Sequence, residues 1–146
     1  KKIISKRKSP KKKNIYSIFG ELFTLYKLFE NPNFSLIVLP IQQIVTKTVF
    51  TEPVQTINKS RRYKKNWLIT DKELLKYDDE IILNSKIDLF NLIPKEIPEN
   101  FSSKDFAKTE VKKEANKMIW VLRKLNLITQ QDKIGNLIIY KKNLPR

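Results

Sequence analysis

Residues 101–142, FSSKDFAKTEVKKEANKMIWVLRKLNLITQQDKIGNLIIYKK, constrain the fold more than any other part of the chain. They read as a short helix, a turn, a longer helix and two strands joined at a glycine. Ser102 followed by Asp105 is a capping box, and Phe101 and Phe106 flank it as a hydrophobic staple, so a helix is expected over 103–108. The longer helix is expected over 111–126. At 3.6 residues per turn, Val111, Ala115, Met118, Ile119, Leu122 and Leu125 fall on one arc. Lys112, Lys113, Asn116, Lys117, Trp120, Arg123 and Lys124 fall on the other. Glu110 and Glu114 lie near the helix N-terminus, where the helix dipole favours acids. Strands are expected at 127–130 and 136–141, with Gly135 and Asn136 supplying the positive φ a tight hairpin needs. This order of elements predicts a winged helix-turn-helix.

The rest of the chain leads into that unit. Residues 14–30 read as a helix of about four turns, apolar over most of its circumference and so buried on more than one side. Residues 34–50 are rich in Ile, Val, Leu and Thr and read as strand, broken at Pro40. A polar connection at 57–66 precedes a strand at 67–69. Thr70 and Glu73 form a capping-box pattern that predicts a short helix to Tyr77. A strand at 80–83 follows, then a helix at 86–93 capped by Ser85 with Asp88. The expected fold class is α+β: a basic arm at 1–13, a helix plus small antiparallel sheet module at 14–84, and a C-terminal winged helix-turn-helix at 85–146.

Charge is placed unevenly along this order. The net charge is +15, with eight basic residues and no acid in 1–13, eleven of each sign in 14–101, and eleven basic against four acidic residues in 102–146. A neutral middle between two basic ends points to a polyanionic partner. With no cysteine and no histidine, thiol nucleophiles, disulfides, imidazole catalysis and Cys/His zinc sites are excluded. The acids Asp78, Asp79, Glu80 and Glu110 form no convincing metal or catalytic set, and two glycines leave no phosphate-binding loop. No cofactor, metal or enzyme activity is expected. No apolar run reaches the roughly 20 residues of a spanning helix, and the 14–30 helix lacks the cationic face of a membrane-surface helix. A cytoplasmic location is expected. Lys1 in place of an initiator methionine reads as a piece of a longer protein.

The expected function is non-enzymatic nucleic-acid binding, with duplex DNA ahead of RNA. Candidate contacts are Lys112, Lys113, Asn116, Lys117, Arg123 and Lys124 on the longer helix, Lys133 on the wing, and Arg61, Arg62, Lys64 and Lys65 around Tyr63 in the connecting loop. Cations position the phosphate backbone, and Asn116 is the candidate base reader because an amide can pair with adenine. Trp120 reads as a packing residue. The alternatives are a protein-interaction module, an RNA- or ribosome-associated protein, and the accessory region of a nuclease with its chemistry upstream.

The segments SKRKSPKKKNIYSIFGELFTLYKLFENPNFSLIVL, RRYKKNWLITDKELL, LIPKEIPENFSSKDFAKT and MIWVLRKLNLI, with GNLIIYKK, resemble in this order an uncharacterised bacterial family. The resemblance covers nearly the whole chain and implies a C-terminal winged helix preceded by a further, nuclease-like domain. The chain departs from the family pattern after Leu39, where Gln42, Gln43 and Thr46 stand at positions for which acids are implied.

Overall fold

The computed structural model describes residues 4–10, 12–55 and 64–143, and these form two units. One contains residues 1–38 and 81–146; the other is residues 39–80. The grouping differs from a division at 84/85, because the first helix packs on the C-terminal elements rather than with the long strands.

In the first unit, residues 15–30 are helical throughout but not one α-helix. Turns of 3-10 helix at Ile15–Ile18 and Tyr26–Glu30 flank α1, Phe19–Leu25. Phe19, Leu22 and Phe29 are buried, so the segment does supply core, while Leu25 and Leu28 remain exposed. Strand β1, Leu36–Val38, ends before Pro40, as expected of a residue with no N–H to donate.

The second unit is a ribbon of two long antiparallel strands, β2 (Ile41–Val54) and β3 (Lys65–Tyr77). The helix expected from Thr70 and Glu73 does not form. Instead Thr70 lies at an irregularity of β3, with its hydroxyl 3.0 Å from that of Thr48 across the ribbon. Pairing with the β-branched run of β2 gives 65–77 ladder hydrogen bonds along one edge, and this outweighs one local capping pattern. Residue 75 and residue 70 are each the extra member of a bulge, since Gln42 pairs with Lys76 but Gln43 with Leu74, and Thr46 with Asp71 but Lys47 with Ile69.

The chain re-enters the first unit with β4, Ile81–Leu83, which pairs with β1 through Val38↔Ile81. Helix α2, Lys86–Asn91, starts at Ser85 as expected; Asp88 Oδ2 accepts from the Ser85 N–H at 2.9 Å. Strand β5, Asn100–Phe101, leads to a 3-10 helix at Ser103–Lys108. Here the second capping box also forms: Asp105 Oδ2 accepts from the backbone N–H of Ser102 at 2.6 Å and from its hydroxyl at 2.9 Å. The staple closes as an edge-to-face pair of Phe101 and Phe106, with ring centroids 5.6 Å apart.

Helix α3 runs over Ala115–Lys124, shorter than the expected 111–126. Thr109 is extended, and its hydroxyl donates to Phe106 O at 2.9 Å and accepts from the Val111 N–H at 3.3 Å. Residues 109–114 then form turns with i to i+3 bonds, such as Glu114 N–H to Val111 O at 2.7 Å, anchored by fully buried Val111. At its other end, α3 stops in a Schellman motif. Asn126 takes φ 59°, the Leu127 N–H donates to Leu122 O at 2.9 Å, and the Asn126 N–H donates to Arg123 O at 3.0 Å. Buried Leu122 and Leu127 supply the apolar contact of that motif.

Strands β6 (Ile128–Ile134) and β7 (Leu137–Lys142) form a hairpin, and β5 adds to the far edge of β7 to give the order β5-β7-β6. Gly135 takes φ 60° while Asn136 stays at negative φ, the pattern of a type II′ turn. The core beneath joins Phe19 and Leu22 of α1, Leu89 of α2, Phe106, Met118 and Leu122 of α3, and Ile128 of β6.

Candidate nucleic-acid interface

All the expected contacts between Lys112 and Lys133 belong to the first unit. Lys112 and Lys113 are exposed, but they sit in the turns before α3, so the helical periodicity does not place them. The helix itself presents Asn116, Lys117, Arg123 and Lys124 to solvent. Ala115, Met118, Ile119, Val121 and Leu122 are buried beneath it.

Helix α1 lies along one side of this exposed face. Trp120 stacks on Phe23, with centroids 4.2 Å apart and ring planes 9° from parallel, and meets the edge of Tyr26 at 5.4 Å. Lys124 Nζ lies 5.4 Å from the Trp120 ring, close enough for a cation–π contact. Lys117 leans to the same side: its Nζ is 2.8 Å from Glu114 Oε2, and a Cβ at Gly20 would lie 3.5 Å from it. Trp120 is therefore a packing residue, and Lys117 is tied to a carboxylate. Asn116 and Arg123, two turns apart, form the stripe that α1 leaves open. Arg123 leans toward the sheet, its guanidinium carbon 5.8 Å from the Tyr140 ring centroid.

Three of the four acids in 102–146 are engaged locally, and exposed Glu110 contributes only its backbone oxygen, to Asn14. Asp105 caps its helix, Glu114 meets Lys117, and Asp132 Oδ1 accepts from the Lys133 N–H at 2.7 Å. Among the described residues no carboxylate lies within ion-pair distance of Lys112, Lys113, Arg123, Lys124 or Lys133. Lys133 is exposed in β6 opposite Ile138, one pair back from the hairpin end rather than at its tip. The two lysines at the foot of the hairpin are engaged. Lys141 lies 3.6 Å from Glu99, and Lys142 Nζ donates to Ile97 O at 2.5 Å, with burial pulling its pKa below the usual lysine value.

One contact went unnoticed in the sequence. Asn14 Nδ2 donates to Glu110 O at 3.1 Å, which fastens the end of the basic arm to the turn that carries Lys112 and Lys113. Tyr16 follows in the same place, and burial with Glu110 and Glu96 nearby raises its phenol above the ordinary value. An asparagine before a helix looks like a cap, and nothing in its sequence neighbourhood announces a partner 96 residues away.

In the other unit, Lys64 is exposed, while Lys65 begins β3 and is half-buried, not part of a loop. Its Nζ lies 4.5 Å from the Trp67 ring centroid, and Lys47 Nζ lies 4.0 Å from it. Arg61, Arg62 and Tyr63 lie outside the described residues. Asp78, 3.5 Å from Lys76, belongs to the ribbon unit and Glu110 to the other. Among the described residues no group of three acids is placed to hold a metal ion, and no helix is long and apolar enough to cross a membrane.

A family model described as Domain of unknown function (DUF8091) matches residues 1–84. The chain belongs to that family. The DUF8091 segment ends one residue before the Ser85 cap, so it takes in the arm, α1 and the ribbon, while the cations from Lys112 to Lys133 lie beyond it. An "Uncharacterized protein" of the bacterium Treponema pallidum (strain Nichols) is 27% identical over 139 residues, 95% of this chain and 53% of its own length. The chain thus spans about half the length of the relative it matches. No solved structure matches it.

Proposed function

We propose that this DUF8091 chain binds nucleic acid without catalysing a reaction, duplex DNA ahead of RNA, and that its C-terminal segment from Ser85 works as a winged helix-turn-helix. The order α2, β5, 3-10 helix, α3 and β-hairpin supports that reading, in which α3 is the groove-facing helix and β6–β7 the wing. The observation that carries the reading is the set of exposed cations around α3 with no carboxylate within ion-pair distance among the described residues, beside three acids that are engaged locally. A cation left without a local partner at low dielectric cost is available to replace counterions on a phosphate backbone.

Because α1 covers the Trp120 side, the contact surface on the first unit is the Asn116–Arg123 stripe, Lys112 and Lys113 from the preceding turn, Lys124 and Lys133, and Lys64, Arg61 and Arg62 add a separate group of cations. Asn116 faces the bases and the cations hold phosphates. The arm, fastened at Asn14, brings Lys12 and Lys13 beside that turn. The matching relative is about twice as long, and the reading concerns only the part that this chain spans.

The test is a salt titration of binding to duplex DNA. With about six phosphates neutralised, log affinity against log salt should fall with a slope of roughly −5. Changing Lys112, Arg123 and Lys124 to Ala should flatten that slope by about 0.9 for each phosphate no longer neutralised. Trp120→Ala should lower stability by about 2–3 kcal/mol and leave the slope unchanged. A slope near zero, or one that the triple variant does not alter, would sink the proposal. Structured RNA outcompeting duplex at matched salt would reverse the ranking of partners.

A further inference from the structure

The β2–β3 ribbon has one largely apolar face that the fold does not use. Side chains of directly paired residues point to the same face, and β2 is regular from Ile41 to Val49. One face therefore carries Ile41, Val45 and Val49 from β2, and Trp67, Ile69, Leu74 and Tyr77 from β3. Six of these seven are exposed, from 37% at Val45 to 67% at Tyr77. Together they offer roughly 700 Å² of accessible surface, close to the ~800 Å² that each partner gives a stable interface. A lone two-stranded sheet is marginal in water, so such a face gains stability when it is covered.

Charge separates the possible occupants. Over the paired stretch 41–49 the charged residues on this face are Lys47 and Lys72, and Lys65 lies beside them over the Trp67 ring; the acids Asp71 and Glu73 point from the opposite face. Two copies meeting face to face would bring like charges together. A lipid surface is disfavoured for a different reason: β2 and β3 pair only with each other among the described residues, and insertion into hydrocarbon would leave their open edges unsatisfied. Nucleic acid has no use for a surface built mainly of Ile, Val and Leu.

We propose that this face docks an acidic amphipathic helix of another protein, with its apolar stripe on Val45, Val49, Ile69 and Leu74 and its carboxylates on Lys47 and Lys72. The paired stretch from Ile41 to Val49 is about 27 Å long, which an 18-residue helix spans at about 1.5 Å per residue. Docking of this kind is independent of the DNA-binding face.

Two synthetic 18-residue helical peptides test the idea on the intact chain by calorimetry. They share one leucine stripe, flanked by Glu in the first and by Lys in the second. The Glu-flanked peptide should bind, the Lys-flanked peptide should not, and amide shifts should fall on Ile41–Val49 and Trp67–Tyr77. Lys47→Glu with Lys72→Glu should weaken binding at least tenfold. Leu74→Ser, a milder change that keeps the charge, should weaken it several-fold with the ribbon resonances still dispersed. Equal binding of both peptides, binding of neither, or shifts outside the ribbon would overturn the proposal. So would a concentration-dependent dimer abolished by Leu74→Ser, or vesicle binding abolished by it. DNA affinity should be the same in Leu74→Ser, which keeps the charge, and this separates failure here from failure of the DNA reading.

Discussion

Trp120 and Arg123 sit three residues apart on α3 and have different surroundings. A helical wheel places both on the polar arc, because it sorts residues into one packed side and one wet side. The structure adds a third neighbour, α1, which stacks Phe23 on Trp120 and leaves Arg123 open toward the sheet. The indole's type announced packing, whereas the identity of its partner did not follow from local sequence. Asn126 gives the opposite lesson. Its position after the last apolar turn marks a helix end, and it adopts φ 59° in a conformation that glycine enters without penalty. Asn143 Nδ2 bonds to the backbone oxygen of Asn126, not to its side chain, so that bond survives substitution. Asn126→Gly should therefore raise stability by about 0.5–1 kcal/mol, and Asn126→Val should lower it by at least about 1–2 kcal/mol, since β-branched residues resist positive φ. Urea denaturation measures both. A glycine variant less stable than the parent would mean that the Asn126 side chain holds something the backbone geometry does not require.

Elements defined by local chemistry were legible, and those defined by distant pairing were not. The boxes at Ser85/Asp88 and Ser102/Asp105 both formed, as did the Phe101–Phe106 staple and the hairpin at Gly135. Thr70 and Glu73 carry the same pattern and sit in a strand, because 41–54 offers 65–77 a long partner that no short window contains. The start of α3 moved from 111 to 115 for a related reason: Thr109 closes its own turn with its hydroxyl, and Val111 is buried in the turn rather than on the helix. The set of candidate cations survived this shift only in part, since Lys112 and Lys113 kept their exposure and lost their helical register. The energetic contrast between a formed and an unformed box is measurable. Ser102→Ala should cost about 1–2 kcal/mol, because a buried cap loses its hydroxyl partner on Asp105. Thr70→Ala should cost less than about 0.5 kcal/mol, because it removes one solvent-exposed hydroxyl pairing with Thr48. Equal losses at the two sites would contradict the idea that Thr70 caps nothing.

The ribbon is inserted into a unit that closes without it. The first unit joins up through Val38↔Ile81, the last pair of the β1–β4 ladder, and residues 39–80 leave and return at that point. Its core draws on α1, α2, α3 and the β5-β7-β6 sheet, and every residue of the buried cluster lies outside 39–80. A family boundary at 84 and a spatial boundary at 38/81 can both hold, since a segment inherited as one stretch need not fold as one body. Replacing residues 39–80 by Asn-Gly should let Val38 and Ile81 close as an ordinary two-residue hairpin. The shortened protein should then unfold cooperatively with its core intact. It should keep the α3-dependent part of DNA binding and lose the contribution of Lys64, Arg61 and Arg62. That loss would read as a slope shallower by about 0.9 for each phosphate those side chains neutralise. Calorimetry checks the first expectation and the salt titration the second. If the shortened chain is unfolded, the ribbon is part of the folding unit despite its separate contacts. If it folds and binds DNA with the full slope, Arg61, Arg62 and Lys64 are spectators and the basic surface is confined to α3, its preceding turn, the wing and the arm.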